Sequence, residues 1–82
     1  MIEIEDNVII SYGVLFSCHG PSCSGHRIVI RKGAYIGMRS TIIAREEVTE
    51  IGEGAVIGAC TLVNKSVPKE KTAVGIPCSI LK

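Results

Sequence analysis

Ile30-Arg31-Lys32-Gly33-Ala34-Tyr35-Ile36-Gly37-Met38-Arg39-Ser40-Thr41-Ile42 and Ile51-Gly52-Glu53-Gly54-Ala55-Val56-Ile57-Gly58-Ala59-Cys60-Thr61-Leu62-Val63 follow one pattern. An apolar residue returns every six positions: Ile30, Ile36, Ile42, then Ile51, Ile57, Val63. A small or β-branched residue stands four positions after the first two of each set: Ala34 and Ser40, then Ala55 and Thr61. Gly37, Gly52 and Gly58 directly follow their apolar residue. The N-terminal stretch repeats the spacing with Ile4, Ile10 and Phe16, and with Val8 and Val14 four positions on. A period of six is neither the 3.6 of a helix nor the 2.0 of a simple amphipathic strand. It fits a parallel β-helix built from hexapeptides.

If each hexapeptide supplies one short strand and one turn, three of them close one triangular coil. The apolar positions then sort into three flat faces: Ile4, Ile30 and Ile51; Ile10, Ile36 and Ile57; Phe16, Ile42 and Val63. Successive coils lie about 4.8 Å apart, the ordinary spacing of paired strands. No coil buries its own apolar side, so stability comes from stacking. Three to four coils fit within residues 1–82, which form a single domain with a tail over 69–82, where the pattern dissolves after Val63. Val67-Pro68 argues against a strand interior there, because proline lacks the backbone donor.

The period fails twice. Phe16 to Ile30 is fourteen residues and Ile42 to Ile51 is nine. Both surpluses follow the third hexapeptide of a coil, so both emerge at one corner of the prism. The first is a loop over 17–29 that carries both histidines, His19 and His26; the second carries Arg45, Glu46 and Glu47. Loops thrown out from a rigid scaffold are where binding and catalysis concentrate, and this corner is the candidate site.

Composition sets outer bounds. The formal net charge of +1 gives no electrostatic argument for nucleic acid. No apolar run of about twenty residues and no basic-then-apolar leader is visible, so neither a membrane span nor a signal peptide is expected, and the location expected is cytoplasmic. Cys18, Cys23, Cys60 and Cys78 are then reduced thiols, and Cys60 and Cys78 read as small residues suited to a core. Cys18, His19, Cys23 and His26 can be drawn as a zinc site, but their spacing matches none of the common structural patterns, and no metal is expected.

Ile51 to Pro68, continued by Ala73-Val74-Gly75-Ile76-Pro77-Cys78, resembles the C-terminal half of the hexapeptide-repeat acyltransferases. Ile30 to Gly37 fits the same family, so the resemblance covers nearly the whole chain, with likeness to the galactoside and maltose O-acetyltransferases and to the serine acetyltransferases. It implies an all-β, single-stranded left-handed parallel β-helix, a hand opposite to the usual crossover rule and invisible to periodicity. It implies homotrimers with active sites between subunits, and transfer of an acetyl group from acetyl-CoA to a hydroxyl or, less favoured, an amine of a small acceptor such as a sugar or glycoconjugate precursor. A histidine is the general base, because imidazole can take the proton of a poorly nucleophilic hydroxyl near neutral pH. His19 stands where the galactoside-type enzymes carry it, and His26, offset by one residue, where the serine acetyltransferases do. Glu46 or Glu47 is a candidate to orient it. By position Met38, Ala59, Asn64 and Lys65 fall where coenzyme A is contacted, and Lys82 near its phosphates; Tyr35 replaces a frequent tryptophan and Ser79 a basic residue. Family members are typically longer, so parts of an acceptor pocket are expected outside this chain. Two other readings use the same scaffold. One is a metal enzyme of the gamma-class carbonic anhydrase type, which needs three histidines where this sequence has two. The other is a non-catalytic or truncated trimer module.

Overall fold

A computed structural model describes residues 2–17, 26–45 and 47–81. Eleven short strands are found among them: β1 (Ile2–Ile4), β2 (Ile9–Ile10), β3 (Leu15–Ser17), β4 (Arg27–Ile30), β5 (Tyr35–Ile36), β6 (Thr41–Ile43), β7 (Val48–Ile51), β8 (Val56–Ile57), β9 (Leu62–Val63), β10 (Thr72–Val74) and β11 (Ser79–Leu81). They form three sheets, the faces of a triangular prism: β1-β4-β7, β2-β5-β8-β10-β11 and β3-β6-β9. All neighbours pair in parallel except β10 and β11.

The register is the one the hexapeptides dictate. Ile4, Ile30 and Ile51 stack on the first face. Ile10, Ile36 and Ile57 stack on the second, and Phe16, Ile42 and Val63 on the third. Six of these nine side chains, Ile30, Ile36, Ile42, Ile51, Ile57 and Val63, are completely buried. Ala34, Ser40, Ala55 and Thr61 fill the corners beside them, also buried. Thr61 Oγ1 and Ser40 Oγ both donate to the Gly58 carbonyl, at 2.7 and 2.9 Å, so these inward hydroxyls are satisfied inside the prism. The first coil is the exception, with Ile4 half exposed.

The turns that follow the first and second faces place the residue three after the apolar position in the left-handed region. Gly13, Gly33 and Gly54 suit it, whereas Asn7, Arg39, Cys60 and Glu70 adopt it at φ near 60°. This overturns the reading of Cys60 as a core residue: its turn position turns the side chain outward, and it is exposed, while Cys78 is buried as expected. Gly37 is required by close approach, since a Cβ there would lie 2.7 Å from the Ala59 nitrogen of the next coil.

The tail does not dissolve. Val67 bridges Ile51, and Ala73 pairs with Ile57, so a fourth, partial coil continues the first two columns. The chain then reverses, and β11 caps the second face as an antiparallel strand on β10. The 17–29 loop is shorter than expected, because β3 keeps Ser17 and β4 begins at Arg27.

Candidate functional site

The prism has three corners. At the first, between the first and second faces, each left-handed residue hydrogen-bonds to the coil before it: Gly33 to the Asp6 carbonyl, Gly54 to Lys32 and Glu70 to Glu53, at 2.9–3.1 Å. The second corner repeats this, with Arg39 N–H donating to Tyr12 and Cys60 N–H to Met38. The third corner, where both insertions leave, is built differently. The insertions are tied together at their bases, Ala44 N–H donating to the Ser17 carbonyl and Arg27 N–H to the Glu47 carbonyl, both at 2.9 Å.

His26 sits at this base, one residue before β4, and is partly buried. Its Nδ1 lies 3.2 Å from the Ala44 carbonyl oxygen. A carbonyl can only accept, so this bond places the proton on Nδ1, and in the neutral ring Nε2 is the nitrogen with the lone pair. Ala44 is buried and belongs to the core cluster, so the imidazole is referred to the rigid prism. Glu47 is exposed, and its backbone carbonyl, not its carboxylate, joins the insertions. Asn64, Lys65 and Ser66 pass the same corner one coil further on; Lys65 is exposed, and Ser66 Oγ accepts from Glu50 N–H at 2.9 Å.

The residues expected to meet the acyl donor are therefore divided. Asn64 and Lys65 share the third corner with His26. Met38 and Ala59 stack on the second corner, across the third face, and both are exposed. Tyr35 faces outward from β5 and Ser79 from β11. His19, Glu46 and Lys82, with Cys18 and Cys23, lie outside the described residues. Among the described residues no group of three or more His, Cys, Asp or Glu is arranged to hold a metal.

Thr49, on β7 just after the second insertion, occupies an inward position in register with Ile28, is fully buried, and its hydroxyl has no hydrogen-bond partner among the described residues. An apolar column interrupted by a hydroxyl is its only sequence signal.

Two concavities, of about 330 and 390 Å³, lie at the first corner instead, one against Arg31, Glu50 and Lys69, the other against Asn7, Lys32 and Glu70. Arg31 there bridges three coils, to Glu5 at 2.9 Å and Glu50 at 2.5 Å. The Arg31 hydrogen bond, followed by the Lys32 backbone N–H, holds the Glu5 carboxyl below its usual range. Among the described residues these hollows contain ion pairs and turns but no histidine or cysteine.

No protein-family model matches the chain. It is 38% identical over 81 residues to a serine acetyltransferase of Buchnera aphidicola, covering 98% of this chain and 28% of that protein. It is 46% identical over 80 residues to the bifunctional protein GlmU of Rubrobacter xylanophilus, covering 98% of this chain and 16% of that one. The crystal structure of a serine acetyltransferase from Brucella abortus superposes with a TM-score of 0.81 at 34% identity, over 98% of this chain and 31% of that one. AntD, an N-acyltransferase from Bacillus cereus, superposes at 0.83 over 99% of this chain and 50% of that one, at 24% identity, a likeness of fold alone. The chain thus spans less than a third of the length of the serine acetyltransferases and GlmU it matches. By register, fold and similarity along almost its whole length, the chain is a left-handed β-helix of hexapeptide repeats, similar to a part of the serine acetyltransferases and of GlmU.

Proposed function

We propose that this chain provides the catalytic β-helix of an acetyltransferase that moves the acetyl group of acetyl-CoA to an acceptor hydroxyl. The observation that carries the reading is His26. It stands at the one irregular corner, with Nδ1 committed to a core carbonyl, in a chain 38% identical to a serine acetyltransferase. In the reaction the unprotonated Nε2 takes the acceptor's hydroxyl proton as its oxygen attacks the thioester carbonyl. The tetrahedral adduct collapses, and the coenzyme A thiolate leaves and recovers that proton from the imidazolium. His19 is the alternative base, and Glu46 or Glu47 the candidate to steady it. Met38, Ala59, Asn64, Lys65 and Lys82 are the proposed donor contacts, with the two lysines as point charges for phosphate.

The division of these contacts between two corners favours a site completed by a neighbouring copy, as in a homotrimer. The outer surfaces support this. Every charged residue within a strand lies on the first face. The second face presents Ile9, Tyr35, Val56 and Leu81 in one row, each 38–61% exposed, with Thr72 between the last two, and the third presents Leu15 at 65%. Depletion of charge with enrichment of apolar and aromatic side chains marks the core of an interface.

The test is turnover by mass spectrometry with acetyl-CoA against serine and a pool of sugars and nucleotide sugars. An acetylated product that vanishes in the His19→Ala, His26→Ala double variant supports the reading. Unchanged turnover in that variant removes both histidines, and product on an amine alone replaces O- by N-transfer.

A further inference from the structure

The charges of this sequence are sorted by coil. Residues 2–17 carry Glu3, Glu5 and Asp6 and no cation. Residues 26–45 carry Arg27, Arg31, Lys32, Arg39 and Arg45 and no carboxylate. Residues 46–63 carry Glu46, Glu47, Glu50 and Glu53 and no cation. Residues 64–82 carry four lysines around the single Glu70. The signs alternate from coil to coil, and a net charge of +1 conceals it.

The interior is nearly blind to coil order. The inward columns offer isoleucine three times over, Ile4, Ile30 and Ile51 on one face and Ile10, Ile36 and Ile57 on the next. Apart from Thr49, which would replace Ile28 opposite Ile2, the first coil would meet the third much as it meets the second. Register is weakly specified where alternative pairings bury the same side chains, and a stacked-repeat fold can nucleate at more than one place. The outer side of the first face discriminates. Arg27 bonds Glu3 of the coil before it at 3.1 Å. Arg31 bonds Glu5 before it and Glu50 after it. Exposed ion pairs of this kind add little net stability. Like charges on adjacent strands repel, however, and specificity is the difference between the two arrangements.

We propose that the alternation is a register key. It admits stacking of consecutive coils and refuses stacking of the first coil on the third, or of the second on the fourth, both within one chain and between copies exchanging coils. This claim is independent of the catalytic reading.

Two variants test it. Arg27→Glu with Arg31→Glu gives the first face of the second coil the sign of its neighbours. Adding Glu3→Arg, Glu5→Arg and Glu50→Arg inverts the whole face and restores alternation. Each protein is unfolded in denaturant and refolded in dilute buffer and in 1 M NaCl, where the screening length falls to about 3 Å. Native product is separated by size, and its register is checked by hydrogen exchange at Glu5 and Arg31, whose N–H groups bond Ile30 and Ile51. The key predicts a severalfold loss of native yield for the double variant in dilute buffer, recovered in salt, with the five-fold variant close to the wild type. A double variant that refolds like the wild type overturns the proposal. So does a five-fold variant that fails as the double does, since the individual side chains and not their alternation would then be what matters.

Discussion

The first and third corners are cut from the same prism and do opposite things. At the first, a left-handed residue closes each turn and its N–H reaches the coil before it, as Gly54 does to Lys32 and Glu70 to Glu53. The backbone is satisfied by its own neighbours, and the side chains left over are charges in shallow hollows. At the third, two insertions leave, and the same need is met by bonds between their bases, Ala44 to Ser17 and Arg27 to Glu47. That arrangement leaves a histidine at the rim with its Nδ1 tied to the core. The regular corner therefore holds the stack together, while the irregular one is free to carry chemistry.

This division can be broken most forcefully by activity. His26→Ala is expected to lower turnover by about 10²–10⁴-fold if His26 is the base, while the lost Nδ1 bond to Ala44 costs roughly 0.5–1.5 kcal/mol of stability. Lys69→Ala, in the hollow of the first corner, should leave turnover unchanged, and an equal loss in both variants would erase the distinction between corners. Gly37→Ala reverses the pattern. Its new Cβ meets the backbone of Gly58 and Ala59, so a loss of about 1–3 kcal/mol in denaturant unfolding is expected.

Thr49→Val sharpens the comparison from the other side. The hydroxyl is buried beside the irregular corner with no partner among the described residues, and an isosteric methyl should raise stability by roughly 1 kcal/mol, because an unsatisfied buried group carries its desolvation cost. No gain would mean that the hydroxyl is satisfied in solution.

The smallest effect belongs to the regular corner and to pH. Glu5 is held below its ordinary value in the fold, so its contribution is present in full above the carboxylate range. It is lost as the pH falls through that range and below. Glu5→Gln should remove that part of the acid dependence of unfolding, and an unchanged acid limb would show that the Arg31 pair contributes nothing measurable.

The columns were legible because isoleucine at a fixed spacing has one explanation, and the position of the two surpluses gave the irregular corner. The fourth coil was not. Val63 to Val67 is four residues where the repeat asks for six, and Ala73 is too small to announce a core position. Cys60 misled for a different reason: its turn position is marked by glycine at 13, 33 and 54, but the backbone takes the same shape under cysteine and arginine. Of the candidate site, the corner was legible and the partner of His26 was not, since the Ala44 carbonyl belongs to a group every residue possesses. The split of the proposed donor contacts between two corners follows from the period once the faces are assigned, because Met38 comes after the second apolar position of its coil and Asn64 after the third.

A structure of the protein with coenzyme A tests the central claim most directly. The account predicts the sulfur at the third corner, within hydrogen-bond reach of the His26 or His19 imidazole, with Lys65 toward the phosphates. Coenzyme A seated in the hollows of the first corner, with both imidazoles remote from the sulfur, would contradict it.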